Sequence, residues 1–126
     1  MADERPCVLV LDDEDRVREL LIEFFDEYDE FDLVGASSGE EALEVLSERC
    51  ADVCVVDMRL PGIDGARFIE LAAARGLCRR FLVHTGSVDF NLPQSLLDLG
   101  LVPADVFYKP VNASELADRM RQLLRS

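Results

Sequence analysis

Ala51-Asp52-Val53-Cys54-Val55-Val56-Asp57-Met58-Arg59-Leu60-Pro61-Gly62-Ile63-Asp64-Gly65 runs four consecutive apolar residues, three of them valine, straight into an aspartate and then a Pro-Gly turn. A short apolar run without alternation is the pattern of a strand buried on both faces of a parallel sheet. Asp57 then falls at the carboxyl end of a strand, the edge where open α/β sheets collect ligands and chemistry. An aspartate before Pro-Gly also serves as a plain turn residue, so the other strand ends decide between the two readings.

Toward the amino terminus, Cys7-Val8-Leu9-Val10-Leu11 is a second short apolar run, opened by Pro6 and closed by Asp12-Asp13-Glu14-Asp15. It reads as a buried strand ending in paired carboxylates. Asp15 is expected to cap a helix in which Val17, Leu20, Leu21, Phe24, Phe25 and Tyr28 fall at helical spacing, leaving Arg18, Glu19, Glu23, Asp26 and Glu27 for water. Phe31 to Ala36 alternates loosely and leads to Ser38-Gly39-Glu40-Glu41, a Ser-x-x-Glu capping box. Ala42, Leu43, Val45 and Leu46 give the helix that follows, ending near Cys50.

Toward the carboxyl terminus, Asp64 is placed to cap a helix through Phe68, Ile69, Leu71 and Ala72, stopped by Gly76. Phe81-Leu82-Val83-His84 is a fourth strand and runs into Thr85-Gly86-Ser87. Leu92 to Leu99 allows only a short helix, with Pro93 tolerated in its first turn. Val102 to Tyr108 gives a last strand, interrupted early by Pro103 and ending at Lys109-Pro110. Asn112-Ala113-Ser114-Glu115 opens a closing helix with the apolar stripe Leu116, Met120, Leu123 and Leu124. Strands alternating with helices over short links define an α/β fold, a doubly wound five-stranded parallel sheet with five helices on its two faces.

A chain of 126 residues suits one domain with a sizeable core. Its net charge of -13 argues against a nucleic-acid surface, because phosphates are neutralised by Lys and Arg. Residues 1–48 carry seventeen acidic and three basic side chains, whereas residues 49–126 carry nine and ten, so one side of the molecule is expected to be strongly acidic and solvated. The cysteines Cys7, Cys50, Cys54 and Cys78 form no Cys-x-x-Cys pair and read as small buried hydrophobes in a reducing compartment. The polar start Met-Ala-Asp-Glu-Arg-Pro is no signal segment and no run is long enough to span a bilayer, so the expectation is a cytoplasmic protein with no membrane partner.

The strand ends now compare directly. The first, third, fourth and fifth strands end in Asp12 with Asp13, Asp57, Thr85 and Lys109, and in a parallel sheet these ends share one edge. Two carboxylates about 5 Å apart at an effective dielectric near 20 repel by roughly 3 kcal/mol, so three of them imply a cation. With oxygen ligands only, Mg2+ is the best fit and Mn2+ suits the same donors. A divalent ion, an ammonium and a hydroxyl together match the oxygens of a transferring phosphoryl group. No Gly-x-x-x-x-Gly-Lys loop is present to hold a nucleotide, which leaves Asp57 as the nearest nucleophile for a phosphoryl group brought from elsewhere.

The set Asp12-Asp13, Asp57 with Met58-Arg59-Leu60-Pro61-Gly62-Ile63-Asp64-Gly65, Thr85-Gly86 and Lys109-Pro110 resembles the receiver domain of two-component response regulators, from about Cys7 to Leu124. The resemblance implies a flavodoxin-like sheet of strand order 2-1-3-4-5. It also implies that Asp57 is the phosphoacceptor, taking its phosphoryl group from the phosphohistidine of a sensor histidine kinase or histidine phosphotransfer protein. Mg2+ would be bound by Asp13 and Asp57 directly, by Asp12 through water and by the backbone carbonyl of Arg59. Thr85 and Lys109 would contact the phosphoryl oxygens, with movement of Thr85 changing a protein-binding surface for an unidentified output protein. Such a domain is not an enzyme in the turnover sense, since it catalyses only its own phosphorylation and dephosphorylation. It would be a monomer or a phosphorylation-dependent dimer.

Three positions depart from the family pattern. Where many members carry an aromatic residue three positions before the lysine this chain has Val106, with Phe107 and Tyr108 displaced from it. The stretch Val88-Asp89-Phe90-Asn91-Leu92-Pro93 is an atypical start to the fourth helix, and Phe90 reads either as a buried aromatic or as a partner anchor. His84, next to Thr85, reads as structural. The expectation is a stand-alone receiver without an output domain; a receiver cut from a longer response regulator and a receiver-fold interaction module working without phosphorylation are the alternatives. A metal-dependent phosphatase would need a second acid two residues beyond the nucleophile, where this chain has Arg59.

Overall fold

The structure, a computed structural model, describes residues 5–125. Its strands are β1 (Cys7–Leu11), β2 (Asp32–Ala36), β3 (Ala51–Val56), β4 (Cys78–Thr85) and β5 (Val106–Tyr108). Its helices are α1 (Asp15–Asp26), α2 (Gly39–Glu48), α3 (Gly65–Ala74), α4 (Gln94–Asp98) and α5 (Ala113–Arg125). All neighbouring strands pair in parallel, in the order β2-β1-β3-β4-β5. The order reverses direction beside β1, so the ends of β1 and β3 form the switch point at which such sheets bind ligands.

Alternation along the strands splits the core into two layers. Leu9, Leu11, Cys54, Val56, Phe81 and Val83 pack with residues of α2, α3 and α4, including Phe68 and Ile69. Val8, Val10, Val53, Val55 and Leu82 pack with Leu21 and Phe25 of α1 and with Leu116 and Met120 of α5. Both faces of the central strands are covered, which is why their sequences show no polar alternation. Three cysteines lie in the first layer, while Cys50 is exposed, so the reading of all four as buried hydrophobes fails there.

Local signals act where the sequence places them at α2, α3 and α5. The Ser38 hydroxyl accepts the Glu41 amide at 3.0 Å, and the Glu41 carboxylate reaches back to the Ser37 amide at 2.6 Å. Asp64 accepts the Arg67 amide at 2.8 Å, and Gly76 at φ +67° closes α3 with the Leu77 amide on the Ala72 carbonyl at 2.9 Å. At α5 the Asn112 carboxamide oxygen accepts the Ser114 amide at 2.9 Å.

Other expectations need correction. Asp15 does not cap α1: it stands inside the first turn and pairs with Arg18 at 2.7 Å, while Asp12 accepts the Glu14 amide at 2.9 Å. Leu20 and Tyr28, assigned to the apolar stripe, are exposed. The fourth strand begins at Cys78, because Ala51 of β3 extends far enough to pair with it. The last strand is only three residues long. Pro103 has no N–H for a ladder and instead opens a 3-10 turn, Pro103–Asp105, whose buried Asp105 carboxylate accepts the Val102 amide at 3.0 Å and the Arg119 guanidinium at 2.8 Å. Among the described residues no helix is long and apolar enough to cross a membrane.

Candidate functional site

Main-chain bonds lace the strand ends into one edge. The Asp57 amide donates to the Leu11 carbonyl at 2.9 Å, the Asp12 amide to Ala36 at 3.2 Å and the Lys109 amide to Thr85 at 2.8 Å. These bonds join the ends of β3 to β1, β1 to β2, and β5 to β4, so each terminal side chain leaves the sheet from a fixed backbone. The peptide bond between Lys109 and Pro110 is cis.

On that edge Asp12, Asp13 and Asp57 each offer a carboxylate oxygen, all within 4.8 Å of one another. Asp12 and Asp57 are buried and Asp13 is exposed. Lys109, the one lysine of the chain, places its ammonium 2.9 Å from Asp12 Oδ2, 3.4 Å from Asp57 Oδ2 and 3.5 Å from Glu14 Oε1. Burial, and then the neighbouring Asp12, push the Asp57 carboxyl up to about 6 against the pull of Lys109 and the Arg59 amide. Burial works against the Lys109 ammonium, but Asp12 and Asp57 outweigh it and hold the group above its ordinary value. The donor set is all oxygen, and three carboxylates gather within 4.8 Å with one ammonium beside them, so a hard divalent cation fits these residues.

Thr85 is fully buried at the end of β4, where its hydroxyl accepts the Ser87 amide at 3.1 Å. Arg59 reaches the site through its main chain, with its amide 3.4 Å from Asp57 Oδ1, while its side chain lies at the exposed surface. Two neighbours escaped sequence reasoning. Glu14 was visible as part of the acidic run but not as a partner of Lys109. Arg18, assigned to water, donates to the Asp12 carbonyl at 2.7 Å and steadies the loop that carries the acids; its spacing on α1 gives no sign of that bond.

Against known proteins, the model of the response regulator receiver domain matches residues 8–121. This chain is a response regulator receiver domain. The receiver is 26% identical over 117 residues to sporulation initiation phosphotransferase F of Bacillus subtilis, covering 93% of this chain and 92% of that protein. Other curated relatives are longer, and the receiver spans 47% of response regulator GtcR of Aneurinibacillus migulanus. Among solved structures it resembles the receiver domain of Francisella response regulator 1452, with a TM-score of 0.81 and 25% identity over 96% of this chain and 98% of that one. It also resembles Thermotoga maritima TrrA, solved in complex with Mg2+-BeF, with a TM-score of 0.78 and 26% identity over 94% of this chain and 98% of that one.

One side chain of this receiver stands beside the site without joining it. His84 is buried, neither ring nitrogen has a hydrogen-bond partner among the described residues, and burial followed by the nearby Lys109 lowers its pKa to about 4. An unfolded histidine titrates near 6.5, so between about pH 6.5 and 4 the unfolded chain binds the proton and the folded chain does not. Stability from this group is therefore full above pH 6.5 and is lost as pH falls through 4, a change on the order of 3 kcal/mol. Urea titrations at pH 7 and 4.5 should show a smaller acid loss for His84→Phe than for the parent; equal losses would contradict a neutral buried imidazole.

Proposed function

We propose that this receiver takes a phosphoryl group on Asp57 from a phosphohistidine of a sensor kinase or phosphotransfer protein, in a Mg2+-dependent step, and thereby switches a protein-binding surface. The observation that carries this reading is the convergence of Asp12, Asp13, Asp57 and Lys109 on one sheet edge. An Asp57 oxygen bonds to phosphorus as the nitrogen–phosphorus bond of the donor breaks, leaving an acyl phosphate and a donor imidazole that takes up a proton. Mg2+ held by Asp12, Asp13, Asp57 and the Arg59 carbonyl would supply charge neutralisation. Lys109 is already held at the acceptor by Asp12 and Asp57, and its ammonium is free to follow negative charge onto the phosphoryl oxygens.

Thr85 supplies the link to the surface. Its hydroxyl accepts the Ser87 amide and keeps its own O–H free to donate to a phosphoryl oxygen, so a movement of Thr85 toward that oxygen would pull on Ser87 and the loop that leads to α4. That loop carries the exposed Val88 and is tied to the edge strand by the Tyr108 hydroxyl, which donates to the Phe90 carbonyl at 3.1 Å. Phe90 itself packs against the core, which favours its structural reading, and the exposed Leu97, Leu99 and Val102 extend the surface on which an output protein would read the switch.

Intact-protein mass after incubation with Mg2+ and acetyl phosphate tests the reading. One added phosphoryl group, prevented by EDTA and lost on standing, is the expected result. Absence of the adduct with acetyl phosphate and also with phosphorylated histidine donors would leave an interaction module in its place.

A further inference from the structure

Arg18, in the first turn of α1, reaches the acid loop through its main chain. Its guanidinium is a fork: Nη1 donates to the Asp12 carbonyl at 2.7 Å, and Nη2 donates to Asp15 Oδ1 at 2.7 Å. Asp12 is thereby held at three atoms, since its amide also donates to the Ala36 carbonyl at 3.2 Å and its Oδ1 accepts the Glu14 amide at 2.9 Å. The carbonyl matters most for the residue that follows. It belongs to the planar peptide joining the two acids, so fixing its oxygen fixes the plane from which the exposed Asp13 departs. Room for the fork comes from β2. A Cβ built at Gly35 falls 3.2 Å from Arg18 Cδ and 3.4 Å from Arg18 Nε, so a side chain at that position would crowd the arginine on its way to the loop.

We propose that Arg18 is a positioning residue of the metal site: it sets the Asp12–Asp13 peptide so that both carboxylates meet a divalent cation, and it acts through its fork and not through its charge. This rests on the reading of the three acids as a Mg2+ site. Charge and position predict opposite signs. A guanidinium beside the acids repels a divalent cation, so by Coulomb's law alone its removal tightens Mg2+ binding. If the guanidinium instead holds the ligands in place, its removal loosens binding, and outer partners that orient metal ligands are worth about 10–100-fold in affinity. Lysine separates the two effects further. It keeps the charge, but its ammonium is a single hydrated point on a shorter stem and does not reproduce a planar fork spanning the Asp12 carbonyl and the Asp15 carboxylate.

The test is an NMR titration of the 15N-labelled, unphosphorylated protein with MgCl2, following the backbone amide signals of Asp12, Asp13 and Asp57 with no phosphoryl donor present. Arg18→Met should weaken Mg2+ binding about tenfold, and Arg18→Lys should weaken it by nearly as much. Melting in EDTA accompanies each titration. A role confined to stability would lower that midpoint and leave the Mg2+ affinity of the folded variants at the parent value, which overturns the proposal. Tighter binding in Arg18→Met, or parent affinity in Arg18→Lys, overturns it as well. Should the methionine variant fail to fold, the lysine variant decides, because it alone changes the fork at constant charge. A parent whose signals do not respond to Mg2+ removes the metal reading and this proposal together. A parent that binds Mg2+ beside variants that bind it equally well removes only the role of Arg18 and leaves the phosphoacceptor reading standing.

Discussion

Asp57→Asn is expected to take phosphoryl uptake from one group per molecule to none, read as intact mass after Mg2+ and acetyl phosphate. The substitution is nearly isosteric, and the bond from the residue 57 amide to the Leu11 carbonyl does not depend on the side chain, so the edge keeps its backbone. What is lost is the anionic oxygen that attacks phosphorus, which a carboxamide does not replace. Asp12 and Asp13 each present an oxygen within 4.8 Å of Asp57, which makes the result informative. A variant that still gains the full mass would move the acceptor role to one of them. Circular dichroism of the variant should match the parent, separating lost chemistry from lost fold.

Gly65→Ala should be the most damaging single-methyl change near the site. A Cβ built at Gly65 falls 2.2 Å from the Asp57 carbonyl oxygen, 2.6 Å from Met58 Cε and 2.8 Å from Met58 Cα. Two of those atoms belong to the backbone that carries the acceptor, and the Gly65 amide is bonded to the Met58 carbonyl at 3.0 Å, so relief requires displacing that backbone. Overpacking of this kind costs about 1–3 kcal/mol, and each kcal/mol lowers the melting midpoint by about 3–5 °C in a domain of this size. Because a displacement of about 1 Å at a reacting group can cost around a hundredfold in rate, phosphorylation should slow by up to about that factor. Gly76→Ala is the control. Unlike Gly65 it lies at positive φ, so an alanine there is strained by backbone conformation, but nothing stands within 4 Å of its added methyl, and a loss near 1 kcal/mol with unchanged phosphorylation is expected. Equal phosphorylation rates in the two variants would remove the steric argument.

The strand ends were legible because a strand buried on both faces advertises itself as an unbroken apolar run, and its first polar residue marks the edge. β1 lies at Cys7–Leu11 as read, and Asp12, Asp13, Asp57 and Lys109 meet where the apolar runs stop. The misreadings share a cause: helical spacing says which face a residue occupies but not whether a neighbour covers that face. Leu20 and Tyr28 satisfied the period of α1 and remain exposed, whereas Arg18, polar by type, is half-buried over the Asp12 carbonyl. The shortened β5 was foreshadowed by Pro103, but the buried Asp105–Arg119 pair that replaces its first residues joins positions far apart in the sequence and left no local trace.

The three carboxylates at the sheet edge also bear on how firmly the whole domain holds together. One ammonium lies among three acids, two of them buried, and the folded chain confines charges that the unfolded chain would keep apart in water. The native state therefore carries a standing electrostatic penalty at the place where its chemistry is gathered. It is also the state that gains most from a divalent cation, because unfolding scatters the ligands. Resistance to unfolding in this molecule is thus not a constant of the sequence but a function of the ions around it, set at the edge where phosphorylation would be decided.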